Sequence, residues 1–348
     1  MIDVNVYAAG MRAAPTVRDI AAHAGVSIAT VSRVLNDQEH VAPETRDLVH
    51  RAVEQLGGRG PRRRPARAGA VFVRCPYLLT DYFGLIVSSI AETLDLHGIQ
   101  LVLNAGEAAQ QREILPSLAG RPGVGGAIVV LPPEPGEELI ALQAAGFPFV
   151  VVDPRETVPR DIAAVSAAHF AGARSLTEHL TRLGHRRIGL LAGPDNWLAS
   201  SARRAGHVSA LADAGVLPDP ALVLPGEPTV PFGYEAARHL LDQPDRPTAL
   251  LGFNDKAASG ALAAAAARGL RVPEDLSIAG FDDIDLAQAT SPMLTTVRQP
   301  LAEMGRTAVG LLVRLLDRHR LDALHVELAT ELVIRDSTGP VPAASAGR

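Results

Sequence analysis

The stretch Thr16–Asn36 reads TVRDIAAHAGVSIATVSRVLN, and two short helices with a turn between them can be read from it. Thr16 is suited to cap a first helix, with Asp19 as an acid in its first turn. Val17, Ile20, Ala21 and Ala24 then recur on one helical face. Gly25 can adopt the positive φ of a tight turn. Ser27 is suited to cap a second helix through Thr30, Val31, Val34 and Leu35. This is the spacing of a helix-turn-helix, whose second helix enters the major groove of DNA.

The flanks extend the pattern. After a polar loop over residues 36–40, Pro43 opens a third helix with Leu48, Val49, Ala52, Val53 and Leu56 as its apolar positions, and Gly57-Gly58 ends it. Residues 1–69 hold ten Arg and seven Asp or Glu, a net +3. The whole chain of 348 residues is −5, which leaves −8 for the remainder. A basic head on an acidic body suits a small DNA-binding module joined to a regulatory domain.

These residues resemble the headpiece of the LacI/GalR family of transcription regulators. The family pattern TVxDIAxxAGVSxxTVSRVLN, followed by VxxxTRxxVxxAxxxLG, is matched from Thr16 to Gly57. The resemblance implies that Ile28, Ala29 and Arg33 touch bases, while Thr16, Ser27, Thr30, Ser32 and Asn36 meet phosphates or support the helix. The side-chain chemistry agrees. Arg33 can pair in bidentate fashion with guanine, and Ile28 and Ala29 can offer apolar contact to a thymine methyl.

Residues 57–69 depart from the family, which usually carries a hinge helix reading like YxPNxxARxL. This chain reads GGRGPRRRPARAG, and its two prolines and four glycines oppose a helix. Arg59, Arg62, Arg63, Arg64 and Arg67 are suited either to lie along phosphates or a narrow minor groove, or to remain a solvated linker.

From Ala70 onward, short apolar runs alternate with helical patterns. Strands are expected at Ala70–Val73, Gln100–Asn104, Gly126–Leu131, Phe147–Asp153, Arg187–Ala192, Ala221–Leu224, Ala249–Phe253 and Ser277–Gly280, with a final one near Val326–Val333. Helices are expected at 83–97, 108–119, 136–145, 170–183, 201–214, 232–242, 255–268 and 301–319. Such a series builds parallel sheets covered by helices, here in two α/β lobes. The phrases LTRLGHRRIGLLAGP (180–194), PTALLGFNDKAASGAL (247–262) and GLRVPEDLSIAGFDDIDLA (269–287) resemble the family's regulatory domain, which is built like periplasmic sugar-binding proteins. The expected organisation is a headpiece over 15–57, a linker over 58–69 and a two-lobed effector-binding and dimerisation domain over 70–337. Its N-lobe takes about 70–167 and 298–325, and its C-lobe about 168–297 and 326–337. Residues 1–14 and 338–348 show no pattern and are expected to be disordered.

Open α/β sheets bind ligands beyond the carboxyl ends of their strands. The candidates there are Tyr82, Phe83, Asp153, Trp197, Arg203, Asn254 and Asp282. Carboxylates and an Arg can pair with vicinal hydroxyls, and aromatic faces can stack on a sugar ring. Asp255 is read mainly as a helix N-terminal acid, and His179 and His185 as surface or capping residues. Ala168-His169 stands where the family usually has Asp-Asn.

Other chemistries find little support. Cys75 is the single cysteine, so neither a disulfide framework nor a thiolate metal site is expected. No metal-ligand spacing, P-loop or Ser-His-Asp set is visible, so the reading implies no cofactor and no enzyme. No apolar run reaches membrane-spanning length and no signal peptide is evident, so the chain is expected to be cytoplasmic. The tail lacks heptads, which favours a homodimer on an inverted repeat. The expectation is a repressor controlled by a sugar or sugar derivative. The alternative is a cytoplasmic sugar-binding sensor with little specific DNA binding.

Overall fold

A computed structural model describes residues 17–35, 41–56, 69–111, 114–319, 321 and 323–342. They fall into two units, divided between Ala68 and Gly69. The expected disordered start and the linker residues 58–68 lie outside the described residues.

The first unit holds α1 (Val17–Ala24), α2 (Ile28–Leu35) and α3 (Pro43–Gln55). Gly25 turns the chain at φ 67°, a value that costs glycine little. Ser27 Oγ then accepts from Thr30 N at 3.0 Å and starts α2. Ile20, Ala21, Val31, Val34, Val49, Ala52 and Val53 are buried together. This small core fixes the angle between α1 and α2.

The second unit begins with β1 (Ala70–Cys75), α4 (Asp81–Leu96), β2 (Leu101–Ala105), α5 (Leu115–Leu118), β3 (Val124–Val130), α6 (Gly136–Ala144), β4 (Phe149–Val152) and β5 (Ala163–Ala167). It continues with α7 (His169–Arg182), β6 (Ile188–Ala192), α8 (Leu198–Asp213), β7 (Val223–Pro225), α9 (Val230–Leu241), β8 (Ala249–Gly252), α10 (Asp255–Ala266), β9 (Ser277–Ala279) and α11 (Asp285–Ala289). The chain then forms β10 (Thr296–Arg298), α12 (Leu301–Leu316), β11 (His325–Leu328) and β12 (Glu331–Val333). The N-lobe sheet runs β2-β1-β3-β4-β5-β11 and the C-lobe sheet β7-β6-β8-β9; all their pairings are parallel.

Strand alternation distributes the cores. In β1, Val71 and Val73 face α4 and α12, while Phe72 joins Leu115, Leu118 and Leu142 on the opposite face. In β6, Leu190 packs with Leu176 and Leu211, and Leu191 with Leu240 and Ala261. Each fully buried Leu contributes about 1.5–3 kcal/mol relative to exposure.

The lobes exchange chain three times, at 167–169, 298–301 and 328–331. The last crossing corrects the sequence reading, which placed one strand over Val326–Val333 and gave 326–337 to the C-lobe. Two strands stand there instead. β11 completes the N-lobe sheet beside β5, and β12 pairs antiparallel with β10. The expected helix over 108–119 is a 3-10 turn at Glu107–Gln111 followed by the short α5. The tail expected from 338 is seated as far as Val341: Val341 N donates to Leu183 O at 2.9 Å and Gly339 O accepts from His185 Nε2.

Candidate functional site

A cleft of about 650 Å³, counted out into open solvent, lies where the strand ends of the two lobes face each other. Tyr82, Phe83, Asp153, Trp197, Arg203, Asn254 and Asp282 all line it, with Lys256 and Leu131 among the additional wall residues. Several contacts bridge the lobes around it. Lys256 Nζ meets Asp81 Oδ2 at 3.1 Å, and Leu198 N donates to Arg155 O at 2.6 Å. The Arg155 guanidinium also lies 5.1 Å from the Trp197 ring centre.

A buried polar chain forms the floor. Tyr82 Oη donates to Asp153 Oδ2 at 2.7 Å. The other oxygen of Asp153 accepts from His169 Nε2 at 2.8 Å. His169 Nδ1 accepts from Arg203 Nε and Nη2 at 3.4 and 3.3 Å. Since guanidinium only donates, this fixes which imidazole nitrogen carries the proton toward Asp153. Arg203 Nη1 donates to Phe253 O at 2.5 Å, and Nη2 lies 3.7 Å from Asp282 Oδ1. Asp282 Oδ1 also accepts from Gln299 Nε2 at 2.6 Å. Gly206 permits this geometry. A Cβ there would sit 2.2 Å from Phe170 O, so its absence brings α8 against α7 and Arg203 within reach of His169.

The floor's charges are set by surroundings. Burial pushes the Asp282 carboxyl up to about 6, with Arg203 and Gln299 opposing. Burial acts on Asp153 too, but His169, Tyr82 and Arg203 outweigh it and hold that carboxyl below its ordinary value. Backbone strain is also concentrated at the cleft. Leu131, Asp153 and Asp282 take φ of 43°, 51° and 111°, conformations that cost on the order of 1–3 kcal/mol each. They sit just past strands, where the backbone turns its side chains into the cleft.

Asn254 lines the cleft, but its Oδ1 accepts from Ala257 N at 2.9 Å and its Nδ2 donates to Pro228 O, so it caps α10. Asp255 is fully buried and accepts from Thr296 Oγ1 and Ile284 N; it ties α10 to β10 rather than lining the cleft. His185 is a correction. It is fully buried, bonded to Thr248 and Ser277, because Gly184 ends α7 and turns the next residue inward. Sequence reasoning missed Phe281, whose ring centre lies 3.8 Å from the Arg203 guanidinium, with the Phe253 ring centre at 4.3 Å. Its place directly before Asp282 was the available signal.

Residues 16–57 match the lacI family of bacterial regulatory proteins, and residues 177–338 match the periplasmic binding protein-like domain family. The transcriptional repressor CytR of Escherichia coli K12 is 34% identical, with 94% of this chain and 98% of CytR aligned. The chain belongs to the LacI family. Among solved structures, a complex of the transcriptional regulator CelR with cellobiose has a TM-score of 0.71 at 33% identity, covering 93% of this chain and 99% of CelR. The lac repressor dimer bound to operator and an anti-inducer has a TM-score of 0.70 at 30% identity, covering 94% and 100%.

As a LacI-family regulator, the chain carries its DNA-reading candidates on and around α2. Ser27 and Ile28 are exposed at the start of this helix, and Thr30 is half-buried. Ala29, Ser32 and Arg33 occupy helix positions on α2, with Ala29 and Arg33 one turn apart. Thr16, Asn36, Arg59, Arg62, Arg63 and Arg64 lie outside the described residues.

Proposed function

We propose that this transcription regulator represses from an operator organised as an inverted repeat, which it binds as a homodimer in the cytoplasm. A sugar or sugar derivative in the interlobe cleft shifts its operator affinity. Arg33, Ile28 and Ala29 read bases, and the arginines of the linker add contacts to phosphates. Tyr82, Phe83, Asp153, Trp197, Arg203, Asn254 and Asp282 line the effector site. The observation that carries this reading is the convergence of these seven residues on one cleft in a chain that also carries the headpiece. The cellobiose complex of CelR supports a sugar as the effector class.

An effector controls binding only through unequal affinity for two states of the protein. The three chain crossings supply an axis about which the lobes can rotate, and a ligand touching both lobes favours one rotation. The test is selection of operator DNA from a random pool, followed by titration of the selected duplex at fixed salt with and without candidate sugars. Enrichment of an inverted repeat whose affinity changes with sugar is the expected result. Sugar binding without any DNA selection would instead establish the alternative reading, a sensor.

A further inference from the structure

Two of the contacts between the lobes stand where a C-lobe helix begins. Leu198 is the first residue of α8, and its N–H is among those a helix leaves without an internal acceptor. Trp197 precedes it and makes no side-chain cap. The acceptor comes from the N-lobe instead, where Arg155 O receives Leu198 N at 2.6 Å. The Arg155 guanidinium lies 5.1 Å from the Trp197 ring centre and 5.8 Å from that of Tyr77, so it faces an aromatic ring of each lobe. At α10 the contact is ionic. Lys256 is the only lysine of the chain. It is the second residue of its helix, where the helix dipole disfavours a cation. Its ammonium meets Asp81 Oδ2 of the N-lobe at 3.1 Å. Asp81 opens α4 at φ 34°, a left-handed conformation that strains a residue other than glycine. Each partner thus occupies a place that its own lobe disfavours, and the pairing between the lobes accounts for both.

We propose that Leu198–Arg155 and Lys256–Asp81 form a two-point clasp that holds the lobes together away from their axis, and that the cleft opens by releasing both points at once. His169, which bonds Asp153, directly follows a chain crossing and belongs to the axis. Release takes the acceptor from the start of α8 and leaves an ammonium at the positive end of α10 without its counter-charge, so both points favour the closed form. The two points answer differently to solvent. The side chains of the ion pair are 37% and 34% exposed, and salt screens such a pair. The backbone bond joins two uncharged groups and is little affected by salt. Salt therefore loosens the clasp through Lys256 and Asp81, and the loosening appears at Leu198, on a different helix. Lys256 and Trp197 line the cleft, so release widens its mouth. That consequence for ligand access rests on the effector site proposed above, whereas the clasp itself does not.

The test is hydrogen exchange of the full chain, followed by mass spectrometry with no ligand added. The readout is the first turn of α8, where the Leu198 N–H is held by Arg155 O. Peptides from β6 and α12, in the cores of the two lobes, serve as controls. The variants are Lys256→Met, which keeps an unbranched apolar stem, and Asp81→Asn, which removes the charge with a residue that tolerates the left-handed backbone. Each is expected to speed exchange in the first turn of α8 about two- to fivefold, the range for a part-exposed ion pair, with the control peptides unchanged. Raising salt from about 0.01 M to about 1 M should speed the wild type to a similar extent and the variants much less. Unchanged exchange at α8 in either variant overturns the clasp, as does acceleration that spreads equally into the controls. Salt acting as strongly on the variants as on the wild type overturns the coupling of the ion pair to Leu198. Failure of every sugar to bind would count against the effector site alone, because the exchange experiment uses none.

Discussion

His169 Nε2 donates to Asp153 Oδ1 at 2.8 Å, joining the first residue of a C-lobe helix to the end of an N-lobe strand. Both side chains are more than nine-tenths buried. His169→Ala therefore strips a partner from Asp153 and from Arg203 at once. Breaking one side of such a buried charged network costs roughly 3–5 kcal/mol. Urea denaturation should show a loss of that order, and effector binding should weaken in the fraction that remains folded. A stability within 1 kcal/mol of wild type, which is about the effect of an ordinary surface change, would show that the network is not coupled.

Asp282 gives a pH signature. Its folded pKa of about 6 stands above the ordinary 3.8, so the native state holds a proton there that the unfolded chain has lost. Its contribution is most favourable below the ordinary value and is lost as pH rises through about 6. His207 works the other way: burial lowers it from 6.5 to about 4, so its contribution is lost as pH falls through that range. Comparison with Asp282→Asn separates the two. Melting temperatures measured from pH 7 to pH 4.5 should show wild type gaining on the variant as pH falls. A constant difference would contradict the raised carboxyl.

Gly206→Val tests the approach of α8 to α7. The added Cβ meets the Phe170 carbonyl oxygen, which is backbone and has little freedom to yield. Overpacking of this kind costs about 1–3 kcal/mol. The melting temperature should fall and effector affinity with it, because Arg203 moves away from His169, while non-specific DNA binding by the separate headpiece unit stays. Unchanged effector affinity would show that the approach of these helices does not set the floor.

Arg33→Ala addresses base reading. A bidentate contact to guanine contributes about 1–3 kcal/mol of discrimination. Operator binding should fall by that amount with non-specific binding much less affected, at matched salt. Equal loss in both would reduce Arg33 to a phosphate contact.

The headpiece and most of the two lobes were legible because their apolar residues recur at helical or strand spacing between glycine and proline stops. The strand β5 was not. Its sequence AAVSA is small and nearly featureless, and it becomes a strand because β4 and β11 pair with it on both sides. The boundary between β11 and β12 was hidden for a related reason: the continuous run HVELATELV gives no sign that the chain changes sheets near Thr330. In the cleft, strand-end position was enough to find the wall residues. It could not show which of them spend their hydrogen bonds on the protein. That depends on contacts from elements far apart in sequence, as when Gln299 engages Asp282 and Phe253 O takes Arg203.

The placement of α12 and β11 also bears on synthesis. Met304, Ala308 and Leu312 are core of the N-lobe, and β11 is the edge of its sheet, yet both are made after the whole C-lobe. On the ribosome the headpiece can fold as soon as it emerges, whereas the lobe begun at Ala70 must wait more than two hundred residues for its last pieces. A chain interrupted before Leu301 would thus carry the DNA-reading head without a finished N-lobe. Sensing is the last capacity this polypeptide acquires as it is made.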